Sequence, residues 1–162
     1  YDVGLVLSML LASRSDNVAT GIFGDTWLEM NFSRKQVLTS VANLKSLAGK
    51  VGYSTNGFKV IDSLIAQRRV MDKVMFFTDL QMWNTGRKGS SMRDSWLRYK
   101  ISVAPNAKLY LFDLAGYGNT PLQVDNVNDV FLLAGWSDKI FDVLSALEEG
   151  GNAIRKLKNI EI

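Results

Sequence analysis

Val74-Met75-Phe76-Phe77-Thr78-Asp79 is an apolar run that ends in a hydroxyl and a carboxylate. A strand with one wet face alternates apolar and polar side chains, whereas a strand covered on both faces does not. The run therefore predicts a parallel strand lying between two helical layers. Leu109-Tyr110-Leu111-Phe112, followed by Asp113, and Val130-Phe131-Leu132-Leu133 repeat the pattern further along the chain.

Helical spacing fills the intervals between these runs. Phe58, Ile61, Leu64 and Ile65 predict a helix over residues 57–69 that turns straight into the first buried strand. Met92, Trp96 and Tyr99 predict another after the polar loop 86–91, and Ile140, Phe141, Leu144 and Leu147 a last one behind Ser137 as N-cap. Upstream, residues 3–14 form a nearly all-apolar helix that should be covered on most sides. Residues 18–23 and 27–30 are two short strands joined through Gly24-Asp25, a tight-turn pair. Ser33 and Gln36 spell a capping box, with Phe32 and Val37 as the hydrophobic staple around it. Val37, Val41, Leu44 and Ala48 then line one helical face, and Gly49 supplies the stop. Strands alternating with helices imply right-handed crossovers. The expected architecture is one α/β domain over residues 1–162: three layers, doubly wound, with a mostly parallel sheet and the early hairpin as its antiparallel edge.

Composition narrows the chemistry. The chain has neither cysteine nor histidine. That excludes disulfides, Cys/His zinc sites, thiol nucleophiles and any Ser-His-Asp triad. A resident metal would have to be hard and oxygen-liganded: magnesium, manganese or calcium. A formal net charge of +3 permits contact with nucleic acid without demanding it. No apolar stretch is long enough to span a bilayer, so no membrane partner is expected. The apolar opening is broken by Gly4 and Ser8 and lacks the basic front of a signal peptide. Absence of cysteine fits a reducing compartment, and a cytoplasmic location is expected. The chain starts at Tyr1 and enters a helical pattern almost at once, which reads as a piece of a longer protein.

In open α/β sheets, ligands bind beyond the carboxyl ends of the strands. Asp79 and Asp113 follow two buried runs there. The loop Ser54-Thr55-Asn56-Gly57 enters the helix before Asp79's strand. Hydroxyls, a carboxylate and a helix N-terminus on one rim suit a hard cation, whose open positions stay with water or a partner's carboxylate. The same residues have a plainer reading. Ser54 and Asn56 are ordinary helix caps, and a strand-end Asp often closes a turn, which is the favoured role for Asp113.

Phe76-Phe77-Thr78-Asp79, preceded by Gly52-Tyr53-Ser54-Thr55-Asn56-Gly57, resembles von Willebrand factor A domains. Residues 111–120 (Leu-Phe-Asp-Leu-Ala-Gly-Tyr-Gly-Asn-Thr) and 132–138 (Leu-Leu-Ala-Gly-Trp-Ser-Asp) are similar to the end of TROVE proteins, the Ro autoantigen family of RNA-binding proteins. The resemblance implies a metal-ion-dependent adhesion site in which Thr55 is the second-loop threonine and Asp79 the third-loop aspartate, with Ser54 replacing Thr55 if the register differs by one. The cation would be magnesium or manganese. The family's Asp-x-Ser-x-Ser loop and the central first strand that carries it are absent from residues 1–162. The resemblance therefore implies that both precede Tyr1 in a parent protein, and that two ligands alone bind metal poorly.

It also implies a non-catalytic module of a ribonucleoprotein. The parent would bind small non-coding RNA, and the metal would receive an acidic protein partner. Trp83, Arg87, Lys88, Arg93, Trp96, Arg98, Tyr99 and Lys100 interleave rings and cations as single-strand RNA platforms do, with Arg87, Lys88 and Arg93 the candidate contacts. Helical spacing of Met92, Trp96 and Tyr99 favours a buried face instead. Two other readings stay open. A magnesium-dependent phosphoryl-transfer or nuclease domain would use Asp79 and Asp113, but there is no histidine base and no phosphate-binding loop. A metal-free A domain would serve protein–protein contact alone, a reading that Gln81 keeps open.

Overall fold

The computed structural model describes residues 2–78, 91–114, 122–125, 128–135 and 139–148. Helix α1 (Asp2–Ser13) leads into a hairpin of β1 (Thr20–Phe23) and β2 (Trp27–Met30), followed by α2 (Val37–Leu47) and α3 (Phe58–Ala66). Strand β3 (Lys73–Thr78), helix α4 (Met92–Ser102) and strand β4 (Lys108–Asp113) come next. Strands β5 (Leu122–Asp125) and β6 (Val130–Ala134) and helix α5 (Ile140–Glu148) complete the order.

The chain is α/β, as the alternation of runs predicted. β3 pairs with β4 in parallel from Lys73↔Lys108 to Thr78↔Asp113, and β4 pairs in parallel with β6. β5 closes this four-stranded sheet, antiparallel to β6, in the order β3-β4-β6-β5. The antiparallel edge is therefore β5 and not the early hairpin. β1 and β2 pair only with each other, as a separate two-stranded sheet among the described residues. β5 escapes a reading by apolar runs because Leu122-Gln123-Val124-Asp125 is short, alternating and preceded by Pro121.

Alternation along the buried strands sends their side chains to two helical layers. Val74, Phe76, Leu109, Leu111 and Val130 join Ile61, Leu64, Trp96 and Tyr99 of α3 and α4 in one cluster. Tyr110, Phe112, Phe131 and Leu133 join Leu7 of α1 and Val143 and Leu144 of α5 in another, with Met75 and Phe77 half-buried beside them. Neighbouring strands lock this second face with stacked rings: Phe77 on Phe112 at 4.6 Å and Tyr110 on Phe131 at 5.0 Å between centroids. A third cluster ties α1 to the hairpin and α2 through Leu5, Met9, Ile22, Leu44 and Val51.

Three local expectations need correction. Helix α1 buries Leu5, Leu7, Met9 and Ala12, yet Val3, Val6 and Leu10 are 42%, 37% and 41% exposed along one stripe. A helix that is apolar all round carries no information about which side is covered. Helix α2 starts at Val37, not behind Ser33: the Gln36 N–H donates to the Ser33 carbonyl at 3.1 Å, and Gln36 itself is the N-cap with no side-chain bond. The backbone turn takes the donor that the capping box would have used. Phe32 and Val37 are both partly buried against the third cluster. At the other end, Gly49 is not the stop; the chain tightens into a 3₁₀ turn over Ala48–Lys50, and Gly52 is the residue with positive φ.

Helix α3 stops at Ala66 through a Schellman motif. Arg68 takes φ 50°, its N–H donates to Ile65 O at 3.0 Å, and the Arg69 N–H donates to Leu64 O at 3.0 Å. Residues 67–72 thereby turn β3 back along α3. Tyr99, fully buried in α4, ties this turn down: its hydroxyl donates to Arg69 O at 2.8 Å and accepts from the Met71 N–H at 2.9 Å.

Candidate functional site

Because β3 runs back along α3, the N-terminus of α3 and the carboxyl end of β3 lie at the same end of the sheet. Three strand ends meet there. The Leu114 N–H donates to Thr78 O at 2.7 Å, and the Gly135 N–H donates to Asp113 O at 2.7 Å, so the chain leaves β3, β4 and β6 in a stitched row. Gly135 takes φ 76°, which lets the chain turn away from β6 at this rim. Asp113 closes β4 directly opposite Thr78 and is only 2% exposed. An acid this buried and this close to the backbone row fits the structural role better than that of an open ligand.

Ser54 and Thr55 are exposed in the loop before α3. Neither caps the helix. Gly57 is the N-cap and makes no side-chain cap bond, while the turns are closed by backbone bonds from Gly57 N–H to Thr55 O (2.9 Å) and Lys59 N–H to Asn56 O (3.0 Å). The plain capping reading of Ser54 and Asn56 is therefore not what this loop does, and the Ser54 and Thr55 hydroxyls stand at the surface of the rim.

The hairpin tip holds the loop in place. The Asp25 and Thr26 N–H groups donate to Val51 O at 2.5 and 3.3 Å, and Lys59 Nζ donates to Asp25 O at 2.5 Å. Gly24 lies so close that a Cβ there would stand 2.5 Å from Gly52 O and 2.6 Å from Val51 O. The Asp25 carboxylate lies over the α-carbon of Gly52, since a Cβ on Gly52 would meet its Oδ2 at 1.9 Å. Sequence reasoning placed Asp25 only in a turn; the structure adds its exposed carboxylate to the rim, two residues of loop away from Ser54. The clue lay in the turn itself, a hairpin tip short enough to reach a neighbouring loop.

Gly52→Ala tests this arrangement. The Asp25 side chain can swing aside, but φ 78° remains costly for alanine. The variant is expected to lose about 1–2 kcal/mol, read as a lower urea midpoint with an unchanged slope.

Asp79 follows Thr78 directly and lies outside the described residues, as do Arg87 and Lys88. Thr55, Ser54 and Asp79 are therefore not brought together within the described part of the chain. Among the described residues no group of three or more His, Cys, Asp or Glu side chains could hold a metal ion. Arg93 is exposed on α4, whereas Met92, Trp96 and Tyr99 are 2%, 0% and 0% exposed. The rings of Trp96 and Tyr99 point into the core and offer no stacking surface to a base. Among the described residues no helix is long and apolar enough to cross a membrane. No family model matches the chain, and neither a curated protein nor a solved structure matches it.

Proposed function

We propose that this chain is a von Willebrand A-like binding domain of a Ro/TROVE-like, cytoplasmic RNA-binding protein, and that it performs no catalysis. Its rim would hold magnesium or manganese through Asp79 and Thr55, with Ser54 as the alternative hydroxyl, and the cation would receive a carboxylate from an acidic protein partner. Small non-coding RNA would bind elsewhere in the parent.

The observation that carries this reading is the pairing of Thr78 with Asp113 at the carboxyl edge of a parallel sheet, beside a loop whose two hydroxyls are not spent on capping. Parallel sheets bind ligands at that edge. Hard cations take the hydroxyl and carboxylate oxygens available there. A hydrolytic reading has less support. Asp113 is buried, and the sequence has no histidine to serve as base.

Calorimetric titration of magnesium and manganese into the intact parent, beside Asp79→Ala and Thr55→Ala, tests the proposal. Binding should be lost in Asp79→Ala and weakened in Thr55→Ala. Equal heats for all three proteins, or none for the parent, would overturn it.

A further inference from the structure

Asn56-Gly57 is the one Asn-Gly step in the chain, and it falls in the rim loop that enters α3. Such a step carries its own electrophile and its own nucleophile. A bond from the backbone nitrogen of residue 57 to the side-chain amide carbon of residue 56 closes a succinimide ring. A side chain on the second residue crowds that approach, and glycine has no Cβ to do so.

The structure leaves both groups within reach of the reaction. Asn56 is half-buried in the loop and does not cap α3. Gly57 stands just ahead of Phe58, the first helical residue. Its N–H donates to Thr55 O at 2.9 Å, a bond inside the loop, whereas its carbonyl accepts from the Val60 N–H at 3.1 Å and opens the helical ladder. The N–H can therefore leave its partner without unwinding α3, and local openings of this kind cost far less than global unfolding. The hairpin tip holds the loop at Val51, upstream of the step. The exposed asparagines among the described residues, Asn17, Asn31, Asn43 and Asn106, precede Val18, Phe32, Leu44 and Ala107. Each of those neighbours brings a Cβ to the attacking nitrogen.

We propose that Asn56 is a self-modification site, at which the chain converts its own amide into a carboxylate with water as the only co-reactant. The Gly57 nitrogen attacks Asn56 Cγ. The bond from Cγ to the amide nitrogen breaks, and that nitrogen leaves as ammonia with the proton that the Gly57 nitrogen has given up. Water then opens the succinimide. Attack at Cγ leaves an aspartate with the main chain as it was, and attack at the backbone carbonyl leaves isoaspartate. Both products set a carboxylate next to Thr55, on the rim where Asp25 already brings one, and lower the formal net charge of +3 by one unit. Isoaspartate also adds a methylene to the main chain where the Lys59 N–H reaches the Asn56 carbonyl. The reaction needs neither cation nor partner, so this proposal and the metal proposal can fail independently.

The test is incubation of the folded 162-residue chain in mildly alkaline, metal-free buffer, with samples digested by trypsin over time. Cleavage after Lys50 and Lys59 releases residues 51–59 as one peptide, and chromatography with mass spectrometry separates its amide, aspartate and isoaspartate forms. The Asn56 amide should be lost in a single exponential with both acids appearing in its place, while Asn17, Asn31, Asn43 and Asn106 keep their amides. Gly57→Ala should slow the loss by about tenfold or more, equivalent to about 1.4 kcal/mol on the barrier. Gly57 has φ −56° and ψ −25°, which alanine adopts freely, so this variant should keep the parent's urea midpoint. An Asn56 amide that persists in the folded chain while a free peptide of residues 51–59 converts would overturn the proposal. So would loss at an unchanged rate in Gly57→Ala, since the Gly57 nitrogen would then not be the nucleophile.

Discussion

Trp96→Ala is expected to destabilise the chain by about 3–5 kcal/mol, the range for emptying a large buried aromatic site. Trp96 is fully buried in the middle of the cluster that joins α3, α4, β3 and β4, and its ring lies 5.6 Å from that of Tyr99. Its Nε1–H donates to Asn128 O at 2.8 Å, which fixes the turn that leads into β6. Packing and hydrogen bonding can be separated with Trp96→Phe, which keeps an aromatic body and removes the donor. That variant should lose about 1–3 kcal/mol, and the remainder belongs to volume. Urea unfolding of the two variants beside the parent sequence supplies both numbers. Near-parent stability in Trp96→Ala would mean that the indole is not in the core and would return it to the list of base-stacking candidates.

The same residue shows why α4 was harder to interpret than the strands. Rings and cations are interleaved over residues 83–100, and composition alone cannot say whether the rings face inward. Spacing can: Met92, Trp96 and Tyr99 fall on one side of a helix, and that is the side the core takes. The three parallel strands were legible for a related reason. Burial on both faces leaves uninterrupted apolar runs, and no loop produces Val74-Met75-Phe76-Phe77 by chance of turn chemistry. β5 was not legible because an antiparallel strand on the edge needs neither length nor a second apolar face. The start of α2 was misread because Ser33 and Gln36 satisfy a side-chain pattern that a single backbone bond displaces.

For the rim, sequence order gives the end of the sheet at which a residue lies but not its distance from its neighbours. Thr78, Asp113 and the 52–57 loop could be placed at one end from the alternation of elements alone. That Asp113 would be sealed under the backbone row, and that Asp25 would arrive from the hairpin, depends on the approach of Gly24 to Val51 and Gly52. Such contacts between loops distant in sequence have no periodic signature. The charges on the surface say less still. Arg98 bonds Asp62 at 2.9 Å with both partners largely exposed, a pair of the kind that contributes little.

Tyr99→Phe should lose about 1–3 kcal/mol by leaving the Arg69 carbonyl and the Met71 N–H without their partner, and the loss should depend on pH. Burial holds the Tyr99 hydroxyl above its ordinary value of 10.0, with the charge of Asp72 adding to the rise and the Met71 bond and Arg69 opposing it. The folded state therefore keeps the proton after the unfolded chain has begun to release it. The stability that Tyr99 contributes is fully present below pH 10.0 and is lost as the pH rises through the folded value. Urea midpoints taken from neutral pH upward should show a constant gap between the parent sequence and Tyr99→Phe until the unfolded value is reached, and a narrowing gap beyond it. Tyr53, which is 97% exposed, provides the internal control for loss of a hydroxyl: Tyr53→Phe should leave the midpoint at neutral pH unchanged. A gap between Tyr99→Phe and the parent that stays constant well above pH 10.0 would show that the hydroxyl is not held by the turn before β3. The closure of that turn, and with it the alignment of α3 against the β3 edge, would then have to rest on the Schellman bonds at Arg68 and Arg69 alone.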